Sequence, residues 1–358
     1  MNIAIIGCGL IAELHAKSLR AIGQSVDWVV DRNIDNAKTF AKKWDVRNYG
    51  DSLTDDLLDS VDSVHICTPP TVHYELVKEC LLKGKHVICE KPLCLTKEES
   101  EELMILASEK NVVNAVNFNV RYYDACEKAR VVISQEDFGK PLLIQCSYQQ
   151  EFHALPETYS WRYRPEISGH LRATTEIGSH AIDLIRYWTG LTVTEVSAHF
   201  GCFNPVRHLI DGVMYGEEKD NSMPVNISSE DAAIISLRFS NGAIGNIVLS
   251  EVSHGRNNSI KLEVVGDNKS VWWESETPYH LNIARKNAGI TSSINAFSQN
   301  FSDTIGQFIE QVYQDIHFDK REGYYPDFKD GFINSLICDA IYKSANNNAS
   351  WVQLEEYK

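Results

Sequence analysis

Short apolar runs punctuate the chain through about residue 118: Ile3 to Ile6, Val26 to Val30, Ser63 to Cys67, His86 to Cys89 and Val112 to Val116. Amphipathic stretches separate them. Strands joined by helical crossovers pair in parallel and bury both faces of their sheet, so this alternation leaves few folds open. The clearest crossover, Thr96 to Glu109, opens with the capping box Thr96-x-x-Glu99 and offers Leu103, Leu106 and Ala107 on one face. Residues 1–120 therefore read as a doubly wound parallel α/β unit.

After about residue 140 the rhythm changes. Leu142 to Gln149, Thr194 to Phe200, Ala232 to Phe239, Ala243 to Ser250 and Ile260 to Val265 are longer and β-rich, and the Ser-Asn-Gly of 240–242 marks a short hairpin. Helical patterns fall near 176–189, 303–317 and 328–346. The expectation is a second unit, 121–358, of α+β type with a large, mostly antiparallel open sheet. Residues 202–229, polar and holding Pro205, Gly212, Gly216 and Pro224, read as a long excursion between strands.

A chain of 358 residues with 43% apolar and 23% charged content suits two globular domains. The formal charge of -15 argues against nucleic acid and anionic membranes as partners. The nine cysteines are odd in number, scattered and free of C-x-x-C spacing, which is reduced, cytosolic usage. The start, MNIAIIGCG, lacks a basic n-region, and no apolar run reaches membrane-spanning length. A cytoplasmic location is expected. No metal is expected either, since His170, Glu176 and His180 have no recognised zinc spacing.

Gly7-Cys-Gly9-Leu10-Ile11-Ala12 follows the first apolar run and matches G-x-G-x-x-A. Gly7 permits the tight turn, Gly9 lets backbone approach a pyrophosphate, and the amides opening the next helix, at Leu10 and Ile11, hold phosphates. Asp31 ends the second run roughly 20 residues later, where a carboxylate accepts from the adenosine ribose hydroxyls. It repels a 2′-phosphate, so NAD is the expected cofactor; Arg32 beside it leaves NADP as the weaker alternative.

Several segments, taken together, resemble the glucose-fructose oxidoreductase and inositol dehydrogenase (Gfo/Idh/MocA) family: Gly7 to His15, Cys67-Thr68-Pro69-Pro70 with His73, Glu90-Lys91-Pro92, Asn117 to Arg121, Trp161-Arg162, Glu176 to Asp183, Trp272-Trp273 and Phe328 to Gly331. The resemblance covers nearly the whole chain. It implies a Rossmann domain followed by an open sheet whose flat side commonly makes dimers or tetramers. It also implies that Thr68, Pro69, Pro70, His73, Glu90 and Asn119 serve the cofactor, and that Lys91 hydrogen-bonds the reacting oxygen and approaches the nicotinamide ribose. The aligned histidine and acid, at His180 and Glu176, serve catalysis in the family. Glu176 stands where aspartate is usual.

Independently of the family, a Lys before proline is held extended, here at the carboxyl end of a strand where ligands sit in such sheets. At about 100° per residue, Glu176, His180, Asp183 and Tyr187 share one helix face, opposite Ile177, Ala181, Leu184, Ile185 and Trp188. Oxidising an alcohol needs a base for the hydroxyl proton and a group that stabilises developing alkoxide. His180, with an unperturbed pKa of about 6.5, suits the base, Lys91 the cationic stabiliser, and Glu176 either the orientation of the imidazole or the binding of a neighbouring hydroxyl. Trp161 suits an apolar sugar face, while Arg162, Asp183, Asn119 and Arg121 suit hydroxyls. The active site is expected between Lys91 and the 176–183 helix, and the substrate is expected to be a sugar or a cyclic polyol such as an inositol. The alternatives are a dehydrogenase of phosphorylated or nucleotide-linked sugars and a silent NAD(P)- and sugar-binding regulator.

Overall fold

All five early runs become strands of one parallel sheet. The computed structural model describes residues 1–155, 157–158, 161–294, 299–320 and 324–355. Two units emerge, Met1–Tyr122 with Asn300–Ser335, and Tyr123–Gln299 with Leu336–Lys358. The chain thus returns to its first unit late, a return that a single division near residue 120 omits.

The first unit holds β1 (Ile3–Ile6), α1 (Leu10–Ala21), β2 (Trp28–Val30), α2 (Ile34–Trp44), β3 (Asn48–Gly50), α3 (Asp55–Ser60), β4 (Ser63–Ile66), α4 (His73–Leu82), β5 (His86–Cys89), α5 (Lys97–Lys110) and β6 (Asn114–Val116). Strand order is β3-β2-β1-β4-β5-β6, so the order reverses between β1 and β4, where such sheets bind ligands at their carboxyl ends. Every residue of β1 and β4 is buried, as strands covered on both faces require. The capping box of α5 forms, with the Thr96 hydroxyl accepting from Glu99 N and the Glu99 carboxylate accepting from Thr96 N.

The second unit begins with α6 (Asp124–Ser134), β7 (Pro141–Gln149), β8 (Glu157–Thr158), α7 (Pro165–Ser168) and α8 (Ser179–Thr189). It continues through β9 (Val193–Gly201), β10 (Val206–Ile210), β11 (Val213–Tyr215), β12 (Met223–Asn226), β13 (Ala232–Phe239), β14 (Ile244–Ser250), β15 (Ser259–Gly266), β16 (Lys269–Glu274), β17 (His280–Arg285) and β18 (Gly289–Ile294). Helix α9 (Phe301–Phe318) and the start of α10 (Phe328–Ala345) belong to the first unit, and the rest of α10 and strand β19 (Val352–Gln353) to the second. Among the described residues the main sheet runs β18-β17-β16-β15-β7-β14-β13-β9-β19, antiparallel except for the β7 and β14 pair. The excursion at 202–229 is not a loop. It folds as β10, β11 and β12, which join β8 in a small sheet over Tyr163, Met214 and Ile227. Three- to five-residue strands around turn residues carry too little periodicity to stand out in sequence.

Candidate active site

In the first unit the glycine loop lies at the strand-order reversal. Gly7 has φ +92°, and a Cβ there would sit 2.7 Å from the Cys67 carbonyl oxygen, so only glycine lets the turn after β1 pass the end of β4. Gly9 caps α1 without a side-chain hydrogen bond, and a Cβ on it would meet nothing within 4 Å. The helix start is therefore open to a ligand approaching its amides. Leu10 is 85% exposed and Ile11 half-buried, so backbone rather than apolar packing defines this end of α1. Asp31 accepts from Cys8 N at 3.0 Å and Asn33 N at 2.9 Å, which aims its carboxylate at the loop and leaves it further acceptor capacity. Arg32 is exposed.

Thr68 follows β4, and its hydroxyl oxygen is buried without a hydrogen-bond partner among the described residues. Pro69 and Pro70 lead into the turn preceding α4. The glycine cradle, the open helix start and this buried hydroxyl fit a dinucleotide. His73 opens α4. It is fully buried, and its ring nitrogens lie 2.9 Å from the carbonyl oxygens of Thr68 and Pro92, so it clamps two loops together. Burial pushes its pKa down.

Glu90 ends β5. His15 Nε2 lies 2.9 Å from its Oε1, and Asn117 donates to the same oxygen at 2.6 Å. Burial raises the Glu90 pKa, but His15, Asn117 and Lys91 outweigh it and hold the group below the usual carboxylate range. Lys91 is half-buried, and its peptide to Pro92 is cis. Asn119 and Arg121 are drawn into the scaffold: Asn119 donates to Thr304 of α9 at 2.7 Å, and Arg121 pairs with Asp330 of α10 at 3.0 Å.

In the second unit the expected continuous α-helix from 176 is divided. Thr174–Gly178 is a π-turn, and α8 proper starts at Ser179. Glu176 lies within this wider turn, and its carboxylate accepts from Arg162 Nε at 2.7 Å. The Arg162 guanidinium lies 4.7 Å from the centre of the Trp161 ring, so Trp161, Arg162 and Glu176 form one continuous polar and aromatic group. His180 and Asp183 are buried, with the His180 ring 6.3 Å from that of Tyr148. Ile177, Ala181, Leu184, Ile185 and Trp188 pack on the predicted apolar face.

A buried charge cluster behind this helix carried no signal in the sequence. Arg172 has no exposed surface, pairs with Asp231, and donates to Glu251 at 2.6 Å and Ser229 at 3.3 Å. Glu230 accepts from the backbone nitrogens of Arg172 and Thr174, which anchors the start of the π-turn. Burial pushes Glu251 up to about 8 and His153 down to about 2. These partners are distant in sequence and fit no local motif. His15, an internal polar residue on the apolar side of α1, was the readable member of the first unit's buried set.

Residues 1–118 match the family model described as "Oxidoreductase family, NAD-binding Rossmann fold", and residues 130–354 match "Oxidoreductase family, C-terminal alpha/beta domain". The chain belongs to the Gfo/Idh/MocA oxidoreductase family. Levoglucosan dehydrogenase of Pseudarthrobacter phenanthrenivorans is 28% identical over 99% of this chain and 98% of its own. Myo-inositol 2-dehydrogenase of Thermotoga maritima is 29% identical over 68% of this chain and 67% of its own. A solved levoglucosan dehydrogenase in complex with NADH superposes with TM-score 0.91 at 26% identity, covering all of both chains. The family's NAD-binding Rossmann fold is the first unit's sheet with its glycine loop, and the family's C-terminal domain contains the π-turn and α8.

Proposed function

We propose that this chain is an NAD-dependent dehydrogenase that oxidises a secondary or lactol hydroxyl of a sugar or cyclic polyol. The observation that carries the reading is the likeness, over nearly the full length of both chains, to a levoglucosan dehydrogenase. Preference for NAD over NADP follows from the Asp31 carboxylate, which the loop amide of Cys8 holds at the end of β2. Nine cysteines held as thiols rather than disulfides suit a reducing cytoplasm. A homodimer or homotetramer forms through the open face of the main sheet.

Gly7, Gly9 and the amides of Leu10 and Ile11 hold the pyrophosphate, Asp31 the ribose, and Thr68 with the Pro69-Pro70 turn and Lys91 the nicotinamide end. A bound NAD supplies the hydride acceptor. His180 takes the hydroxyl proton, and the Lys91 ammonium stabilises negative charge on the substrate oxygen. Arg162 and Glu176, tied to each other, hydrogen-bond neighbouring hydroxyls, Asp183 steadies the helix face that carries His180, and Trp161 covers an apolar sugar face.

The test is turnover followed at the absorbance band of reduced nicotinamide over pyranoses, anhydrosugars including levoglucosan, inositols and 2-hydroxy acids. Activity is expected on the first three classes. Activity confined to 2-hydroxy acids would reject the reading. Lys91→Ala and His180→Ala should each lower kcat by about 10²–10⁴-fold while NAD titration still shows binding. Near-normal turnover in both overturns the assignment.

A further inference from the structure

A chain of polar side chains crosses the apolar interior of the first unit and ends beside Lys91. It starts at Ser63 on β4, whose Oγ lies 2.7 Å from the Tyr313 hydroxyl of α9. That hydroxyl lies 2.9 Å from Nε2 of His65. Nδ1 of His65 lies 2.8 Å from Nδ1 of His15, and Nε2 of His15 lies 2.9 Å from Glu90 Oε1. Ser63, His65 and His15 have no exposed surface, and Tyr313 is 4% exposed. Around them pack Ile3, Ile5, Ile88 and Phe308. A polar chain in such surroundings is tolerable only if every link is satisfied.

The links admit one consistent direction when Glu90 is ionised and His15 carries a single proton. A carboxylate only accepts, and Glu90 is held below the usual carboxylate range. His15 therefore donates from Nε2. A neutral imidazole carries one N–H, so Nδ1 of His15 accepts and the proton shared by the two rings sits on Nδ1 of His65. Burial keeps His65 neutral, which makes its Nε2 an acceptor for the Tyr313 hydroxyl. The Tyr313 oxygen then accepts from Ser63. Every donor points towards Glu90. A proton on Glu90, or a second proton on His15, reverses each link beyond His15.

We propose that Ser63, Tyr313, His65 and His15 form a one-way hydrogen-bond chain that immobilises the Glu90 carboxylate, making Glu90 a positioning residue for Lys91. The positioning role rests on the catalytic reading of Lys91 given above; the direction of the chain does not. Lys91 projects from the residue that follows Glu90, so a carboxylate pinned by His15 and Asn117 fixes both the backbone from which the lysine leaves and an attracting charge beside it. Reaction rates fall when such a group drifts by even an ångström.

Nitrogen spectra of the full-length protein labelled with 15N in its imidazoles, taken at pH 8 and assigned with His15→Gln and His65→Gln variants, read the direction without reference to activity. The expected result is a proton on Nε2 of His15 and on Nδ1 of His65. Reversed tautomers, or a doubly protonated His15, overturn the chain. Tyr313→Phe removes the donor to His65 but leaves Glu90 to set the direction, so both tautomers should persist with the Nε2 signal of His65 shifted by the loss of its donor. Its kcat should fall on the order of fivefold, the net value of one hydrogen bond, with the KM for NAD unchanged. A lowered Tm with unchanged kcat would make the chain structural only and overturn the positioning role. Reversed tautomers in a working dehydrogenase sink this inference alone, whereas the expected tautomers in a protein that turns over no sugar support the chain and sink the proposed function.

Discussion

Asp31 does two things with one carboxylate. It accepts from Cys8 in the glycine loop and from Asn33 at the start of α2, and in the proposed enzyme it also meets the ribose. Asp31→Ser should lower kcat/KM for NAD by about tenfold or more, the loss of a charge-assisted hydrogen bond, and raise kcat/KM for NADP by relieving repulsion of the 2′-phosphate. Paired kinetics with both cofactors check this; an unchanged ratio would remove Asp31 from the selectivity argument. Gly7→Ala acts differently, because the new methyl group meets backbone at Cys67 rather than a flexible side chain, and at a positive φ. It should destabilise the first unit and abolish NAD binding, as followed by thermal melting with and without NAD. Retained binding would mean that the loop can move aside.

The π-turn and α8 form one functional element whose position depends on residues remote in sequence. Arg172 sits between Asp231 and Glu251, so Arg172→Ala would leave buried carboxylates uncompensated and should cost about 3–5 kcal/mol, read by denaturant unfolding. Glu251 supplies a pH test. With a folded pKa raised to about 8, the native state keeps a proton that the unfolded chain releases at ordinary carboxylate values. Its contribution is complete below the unfolded pKa and is lost as pH rises through about 8. Stability should therefore decline across that interval with a slope on the order of 1 kcal/mol per pH unit, and Glu251→Gln should flatten the decline. Such dependence could not be read from the sequence. Local periodicity placed the apolar face of α8 correctly, as buried Ala181, Leu184, Ile185 and Trp188 show. It missed the π-turn because that turn is held from outside, by Glu230 on the backbone of Arg172 and Thr174. The glycine loop was legible because its chemistry is local; the partners of His73 and Asn119, the Thr68 and Pro92 carbonyls and the Thr304 hydroxyl, were not, because burial against neighbouring loops and helices is encoded in no motif.

For the whole molecule, the main sheet of the second unit presents two unlike faces. Ile144, Cys146, Leu237, Ile235, Ile247 and Leu249 are buried on one. On the other, the register sets Ile234 opposite Val248, and Val248 opposite Ser147. Ile244 lies opposite Leu143, which in turn lies opposite Val265. Ile234 and Ile244 are 58% and 57% exposed. These two short apolar rows form a stripe that the polar row Ser236, Asn246, Gln145 and Glu263 interrupts, and with the Arg238 and Glu195 pair and Lys261 beside them the face has the mixed apolar and polar composition of an association surface. The formal charge of -15 opposes association in general, so contact between copies is expected only where apolar area outweighs repulsion, as on this stripe. Light scattering at micromolar concentration should give a dimer or tetramer. Ile234→Asp with Ile244→Lys should yield monomers whose first unit still binds NAD, because the changed residues belong to the other unit. A wild-type monomer would end the assembly proposal, and an oligomer unaffected by both substitutions would move the interface to another surface.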